Sequence, residues 1–143
     1  MGWVVEQVVQ TYPHSRTVLQ HKATIISFKQ FVFAGLYPNG YRRSMNTLLR
    51  TDVFDRWLSQ LKDAQGKARV VHRVRSAERG NFGDCRLLES GIAEIRIHSG
   101  PGYRVYLARR GRETYVLLCG GTKRGQQRDI ARARQLARFL MED

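Results

Sequence analysis

From Met45 onward, apolar and polar positions fall into an orderly texture of caps, amphipathic faces and turns, and the period changes from element to element. Thr51 is placed to cap a helix, with Asp52 and Asp55 in a first turn whose dipole favours negative charge. Val53, Phe54, Trp57, Leu58 and Leu61 then fall on one stripe, the spacing of an amphipathic helix that ends near Gly66. A second helix is predicted from Lys67 to about Ala77. Val70, Val71 and Val74 face inward there, while Arg69, His72, Arg73 and Arg75 face water; Gly80, Asn81 and Gly83 break the helix.

Period two follows. Cys85–Glu89 reads as a short strand, and Ile92–His98 alternates with Ile95 and Ile97 on one side. Ser99-Gly100-Pro101-Gly102 has the composition of a turn. Tyr103–Arg109 alternates again, and Gly111 marks a hairpin into Thr114–Cys119, a nearly continuous apolar strand ended by Gly120-Gly121. The last element runs from about Gln126 to Met141, with Ile130, Ala133, Ala137 and Leu140 inward. This order predicts an α+β domain: an N-terminal helical hairpin, a three- or four-stranded antiparallel sheet and a C-terminal helix.

Residues 1–44 have a different texture, with no helix period sustained over three turns. Trp3–Val9 and Thr24–Ala34 have the composition of strands, but Pro13, Gly35, Pro38 and Gly40 interrupt the rest. Two domain readings follow for this extension. Either Met45 is the true start and 1–44 is upstream sequence read as coding, the reading placed ahead, or 1–44 is an arm that folds on a partner. Residues 45–143 are the domain proper.

Charge narrows the function. The 143 residues carry 25 Lys and Arg against 12 Asp and Glu, a formal net charge of +13, which points to a polyanionic partner. No apolar run approaches the roughly 18–20 residues of a membrane span, and Met1–Gln10 lacks the pattern of an export signal. Cys85 and Cys119 form no CxxC pair and only four histidines are scattered along the chain, so no metal site is expected. The glycines of 99–102 lack Walker spacing and its lysine, so no nucleotide or other small-molecule cofactor is expected either. A cytoplasmic protein is the expectation.

Alternation also selects candidate residues. If Ile95, Ile97, Val105 and Leu107 face the helices, then Glu94, Arg96, His98, Arg104 and Tyr106 share the opposite face of neighbouring strands. Two arginines side by side repel unless an anion lies between them, and guanidinium forks match phosphate oxygens. A phosphodiester satisfies both, and Tyr106 is placed to stack on a base. The competing reading is a structural network in which Arg96 pairs with Glu94 or Glu89. Lys123, Arg124 and the helix residue Arg73 add positive charge for RNA binding. His98, or Glu94, is the candidate general base.

Five stretches, Asp52–Asp63 (DVFDRWLSQLKD), Gly80–Asp84 (GNFGD), Gly91–Ile97 (GIAEIRI), Gly100–Tyr106 (GPGYRVY) and Leu118–Ile130 (LCGGTKRGQQRDI), follow one another in order and spacing. Together they resemble the addiction-module killer proteins, HigB-like toxins of the RelE/ParE superfamily, from about Leu48 to the C-terminus. The resemblance implies a RelE-like fold and the toxin of a type II toxin–antitoxin module. Such a toxin is a metal-independent endoribonuclease that cleaves mRNA, typically on the ribosome, and a cognate helix-turn-helix antitoxin neutralises it. Arg104 matches the family's sheet arginine at the scissile phosphate, Arg96 a basic position on the adjacent strand, and Lys123, with Arg124, the basic residue after the last strand. Departures are visible: Gln126–Ile130 lacks the tyrosine of the RelE branch, and Glu94 stands where that branch has lysine. ParE-type members share the fold and poison gyrase without cutting RNA, and a decayed toxin keeps only its antitoxin, so both stand as alternatives.

Overall fold

Thr51 acts as the helix cap that its position predicts. Its hydroxyl accepts the Phe54 N–H at 3.0 Å and donates to the Leu118 carbonyl at 2.6 Å, tying the helix start to the sheet. The computed structural model describes Ile25–Ile26 and residues 45–141. In chain order these give β1 (Ile25–Ile26), β2 (Thr47–Thr51), α1 (Asp52–Gln60), α2 (Ala64–Glu78), β3 (Cys85–Leu87), β4 (Ile92–Ile97), β5 (Tyr103–Arg109), β6 (Thr114–Thr122) and α3 (Gln126–Met141). The class is α+β with a C-terminal helix, as the pattern predicts. Trp3–Val9 lies outside the described residues; of Thr24–Ala34 only Ile25–Ile26 is described, and it is a strand.

The sheet departs from expectation. Among the described residues it has six strands in the order β1-β2-β6-β5-β4-β3, and it is mixed, because β2 runs parallel to β6. β2 escaped the sequence reading because Thr-Leu-Leu-Arg-Thr carries no clean alternation. Its strand identity comes from lying along β6, with Leu48 opposite Tyr115, a pairing between residues far apart in the chain.

Helices cover both faces. Phe54 of α1 and Val70 of α2 pack with Ile95, Ile97, Val105, Leu107 and Leu117 on one side. Ala133, Ala137 and Leu140 of α3 pack with Tyr106, Ala108, Val116 and Leu118 on the other. A register shift opposite Tyr106 and Leu107 inserts one extra residue in β6, so the consecutive Leu118 and Cys119 both reach the α3 side.

Three glycines read as chain breakers have a packing role instead. α1 stops at Gln60, and Gly66 sits inside the first turn of α2, whose cap is Asp63. A Cβ at Gly66 would collide with the Tyr103 ring and the Asp63 carboxylate. Likewise β6 continues through Gly120 and Gly121 to Thr122, because a Cβ there would strike the Trp57 ring on one face and the Asp129 carboxylate on the other. Close approach, not strand termination, selects glycine here.

Candidate nucleic-acid interface

Strand register places the expected residues opposite one another: Glu94 pairs with Tyr106 and Arg96 with Arg104. α3, however, lies over part of this face. Glu94 and Tyr106 are 0% exposed and Arg104 only 7%. The Tyr106 hydroxyl donates to Glu94 Oε2 at 3.2 Å, and Gln126 Nε2 of α3 donates to the same oxygen at 2.7 Å. Arg104 Nε lies 3.9 Å from that oxygen, while its Nη1 donates to the Gly102 carbonyl at 3.0 Å. Burial, followed by the Glu94 carboxylate, pushes the Tyr106 phenol above its ordinary range. Two expectations are corrected here. Tyr106 presents no ring face to a base, and Glu94 has no access to a substrate hydroxyl, because α3 completes a buried polar cluster around them.

At the other end of Arg104, the chain turns through Gly102 at φ +76°. The Gly102 carbonyl also accepts the Lys123 N–H at 2.8 Å, so the Arg104 guanidinium and the start of the exposed Lys123-Arg124 turn meet at one carbonyl. A Cβ on Gly102 would sit 3.2 Å from Arg104 Nη1 and 3.4 Å from Lys123 Cβ. The Arg104 guanidinium and the Lys123 backbone are therefore brought together.

Arg96 takes a different course. Its Nη2 donates to Asp84 Oδ1 at 2.9 Å, and His98 Nε2 lies 2.6 Å from Asp84 Oδ2. The partner predicted for Arg96, Glu94 or Glu89, is replaced by Asp84, while Glu89 pairs with Arg134 at 3.6 Å. The shared-anion arrangement is corrected as well: Arg96 and Arg104 face each other across the strands but engage separate carboxylates, Asp84 and Glu94. Like charges directly opposite repel, and each takes its own acid.

Asp84 opens onto a cleft of about 460 Å³ between α2 and the end of β4. Arg69, His72 and Arg73 line it from the helix, Asp84, Arg96 and His98 from the sheet. The His98 hydrogen bond, and then the Arg96 guanidinium, hold the Asp84 carboxyl below the usual carboxylate range despite partial desolvation. Three guanidiniums and two imidazoles around one carboxylate form an anion-attracting lining. Sequence reasoning named Arg73, Arg96 and His98 but missed Asp84, Arg69 and His72 as parts of one cleft. The only signal for Asp84 was its place in the GNFGD stretch; no spacing rule links it to His98.

Among the described residues, no three His, Cys, Asp or Glu gather as a metal-holding group. Cys119 is buried, and desolvation pushes its thiol up to about 12, so it is no nucleophile at neutral pH. No described helix is long and apolar enough to cross a membrane.

Compared with known proteins, the chain is 46% identical over 90 residues to an uncharacterized protein of Haemophilus influenzae. The aligned stretch covers 63% of this chain and 91% of that protein. No protein-family profile matches the chain, and no solved structure matches it significantly.

Proposed function

The chain belongs to one family with the uncharacterized Haemophilus influenzae protein, and on the resemblance of its five sequence stretches we propose that it is the toxin of a type II toxin–antitoxin module. Its activity is metal-independent cleavage of mRNA on the ribosome, in the cytoplasm. In this reading the domain is RelE-like, and α1 and α2 are its N-terminal helical pair. The observation that carries the reading is a gathering of cations at one end of the sheet. Arg96 shares a cleft with Arg69 and Arg73 and stands opposite Arg104, which meets Lys123 at the Gly102 carbonyl.

The reaction is an internal transesterification. The ribose 2′ oxygen attacks its own 3′-phosphate and leaves a 2′,3′-cyclic phosphate and a 5′-hydroxyl. Negative charge grows on the phosphorane oxygens, where fixed donors act most strongly, each worth about 3–4 kcal/mol of barrier. Arg96 and the exposed Lys123 are those donors, the buried Arg104 braces the Gly102 turn that Lys123 also bonds, and the exposed Arg124 extends the track for the message. The cognate helix-turn-helix antitoxin masks this end with a complementary acidic segment.

Lys123→Ala is the cleanest test, because the side chain is exposed and the bond to Gly102 uses only its backbone. Arg104→Ala is less clean, since it also strips the buried Glu94 of its cation. After induction of the folded chain, primer extension on cellular mRNA should reveal new 5′ ends, and Lys123→Ala should weaken them by about 10²–10³-fold. Growth arrest with intact messages would refute the endonuclease. A second, non-enzymatic reading, a ParE-like gyrase poison or a protein that only binds its antitoxin, draws on the burial of Glu94, Tyr106 and Arg104 beneath α3. It predicts cleaved or supercoiling-defective DNA in the first case and no growth arrest in the second.

A further inference from the structure

Asp84 is pinned at three points. Its backbone carbonyl accepts the Arg96 N–H at 2.8 Å, Oδ1 accepts Arg96 Nη2 at 2.9 Å, and Oδ2 lies 2.6 Å from His98 Nε2. The backbone bond extends the β3–β4 ladder by one rung, which sets Asp84 directly opposite Arg96. The strap from Gly83 to Cys85 is thus fastened to β4 in a way that aims one carboxylate at one imidazole. That imidazole is 71% exposed and borders the cation-lined cleft.

We propose that His98 is the general base of the RNA cleavage and that Asp84 is its positioning residue, with the α2–β4 cleft as the seat of the scissile phosphodiester. The assignment rests on the ribonuclease reading above and deepens it. A histidine exchanges protons readily near neutrality, and a carboxylate on one ring nitrogen fixes the tautomer and orientation of the other. With Nε2–H donated to Asp84, Nδ1 is the nitrogen that accepts a proton. Glu94, the rival base, is 0% exposed and already holds Tyr106 and Gln126.

The step balances with groups at hand. The 2′ oxygen forms its bond to phosphorus as the P–O5′ bond breaks. The 2′ proton passes to His98 Nδ1, and water in the open cleft protonates the departing 5′ oxygen. His98 then returns its proton to solvent. Arg96 holds the non-bridging oxygens in charge-assisted bonds, and Arg69 and Arg73, in the same cleft, take the flanking phosphates. His72, on α2, is the other histidine facing the cleft, so the His98 contribution is isolated by substitution.

The purified full chain is assayed for single-turnover cleavage on bacterial ribosomes programmed with a defined message, from about pH 5 to about pH 9. His98→Gln should slow cleavage by about 10²–10⁴-fold with little change in half-saturating concentration. Asp84→Asn should slow it at least about tenfold and displace the rising limb of the pH–rate profile, and Asp84→Glu should restore part of the rate. Thermal melts of each variant confirm folding. Wild-type rate and an unchanged profile in His98→Gln would overturn the pair while leaving the endonuclease standing. An Asp84→Asn effect confined to half-saturation, with the limb unmoved, would reduce Asp84 to a structural tie. Absence of 2′,3′-cyclic ends with the wild type would remove the ribonuclease reading itself.

Discussion

Glu94 accepts hydrogen bonds from Tyr106 and Gln126 and lies 3.9 Å from Arg104, where water does not reach. Its Oε1 and the Arg104 Nε are buried without a hydrogen-bond partner among the described residues, so this cluster has little spare satisfaction. Removing one member of a buried pair leaves the other charge uncompensated, at a cost of about 3–5 kcal/mol. Glu94→Ala should therefore lower unfolding free energy by that amount in urea titrations. Glu94→Gln should cost less, since an amide oxygen still accepts from Tyr106 and Gln126. Sequence alternation read the face of Glu94 correctly but not its burial. Glutamate, arginine and tyrosine on one strand face look like a solvated surface until a helix is laid across them.

At the level of elements, α2 shows how a cap couples to pH. Asp63 accepts the Gly66 N–H at 3.0 Å and the Tyr103 hydroxyl at 2.8 Å. The Gly66 bond first, and then Tyr103, hold its carboxyl below the ordinary value near 4. A lowered acid contributes stability that is complete above the unfolded value and is lost as pH falls through the folded one. Asp84 has the same sign, whereas Asp55 and Glu78, raised mainly by burial, have the opposite one. Asn caps about as well as Asp, so Asp63→Asn should melt near the wild-type temperature at neutral pH. Below about pH 4 its melting temperature should fall less steeply than that of the wild type, as acid-limb thermal scans would show. The sequence placed the start of α1 and the bounds of β5 and α3 closely because each carries its own period or cap. It misplaced the start of α2 because Gly66 reads as a breaker, and only the Tyr103 ring reveals why a glycine is needed inside the helix.

Over the whole molecule, charge sets how a polyanion binds. Binding to single-stranded nucleic acid weakens with salt at a logarithmic slope of about 0.7 per neutralised phosphate. If Arg69, Arg73 and Arg96 each neutralise one phosphate, the cleft contributes a slope of about −2. Fluorescence titration of a short single-stranded RNA across a salt series should give at least that slope, and Arg69→Ala should reduce it by about 0.7. An unchanged slope would move the phosphate path away from the cleft. The mixed sheet is what assembles this end of the protein: helices on both faces leave the edge near β4 and the 99–102 turn as the place where α2, β4, β5 and the start of α3 all present side chains.

The linear chain by itself determined the α+β class, the start of α1, the bounds of β5 and α3, the shared strand face of Glu94, Arg96, Arg104 and Tyr106, and the excess of positive charge. These follow from local periods, caps and turns, which act over a few residues and leave their mark in composition. Tertiary structure alone decided that β2 joins β6 in parallel, that α3 seals Glu94, Tyr106 and Arg104, and that Asp84 meets both Arg96 and His98. Those outcomes depend on which distant surfaces exclude water from one another, and that free energy belongs to pairs of segments that no local window contains.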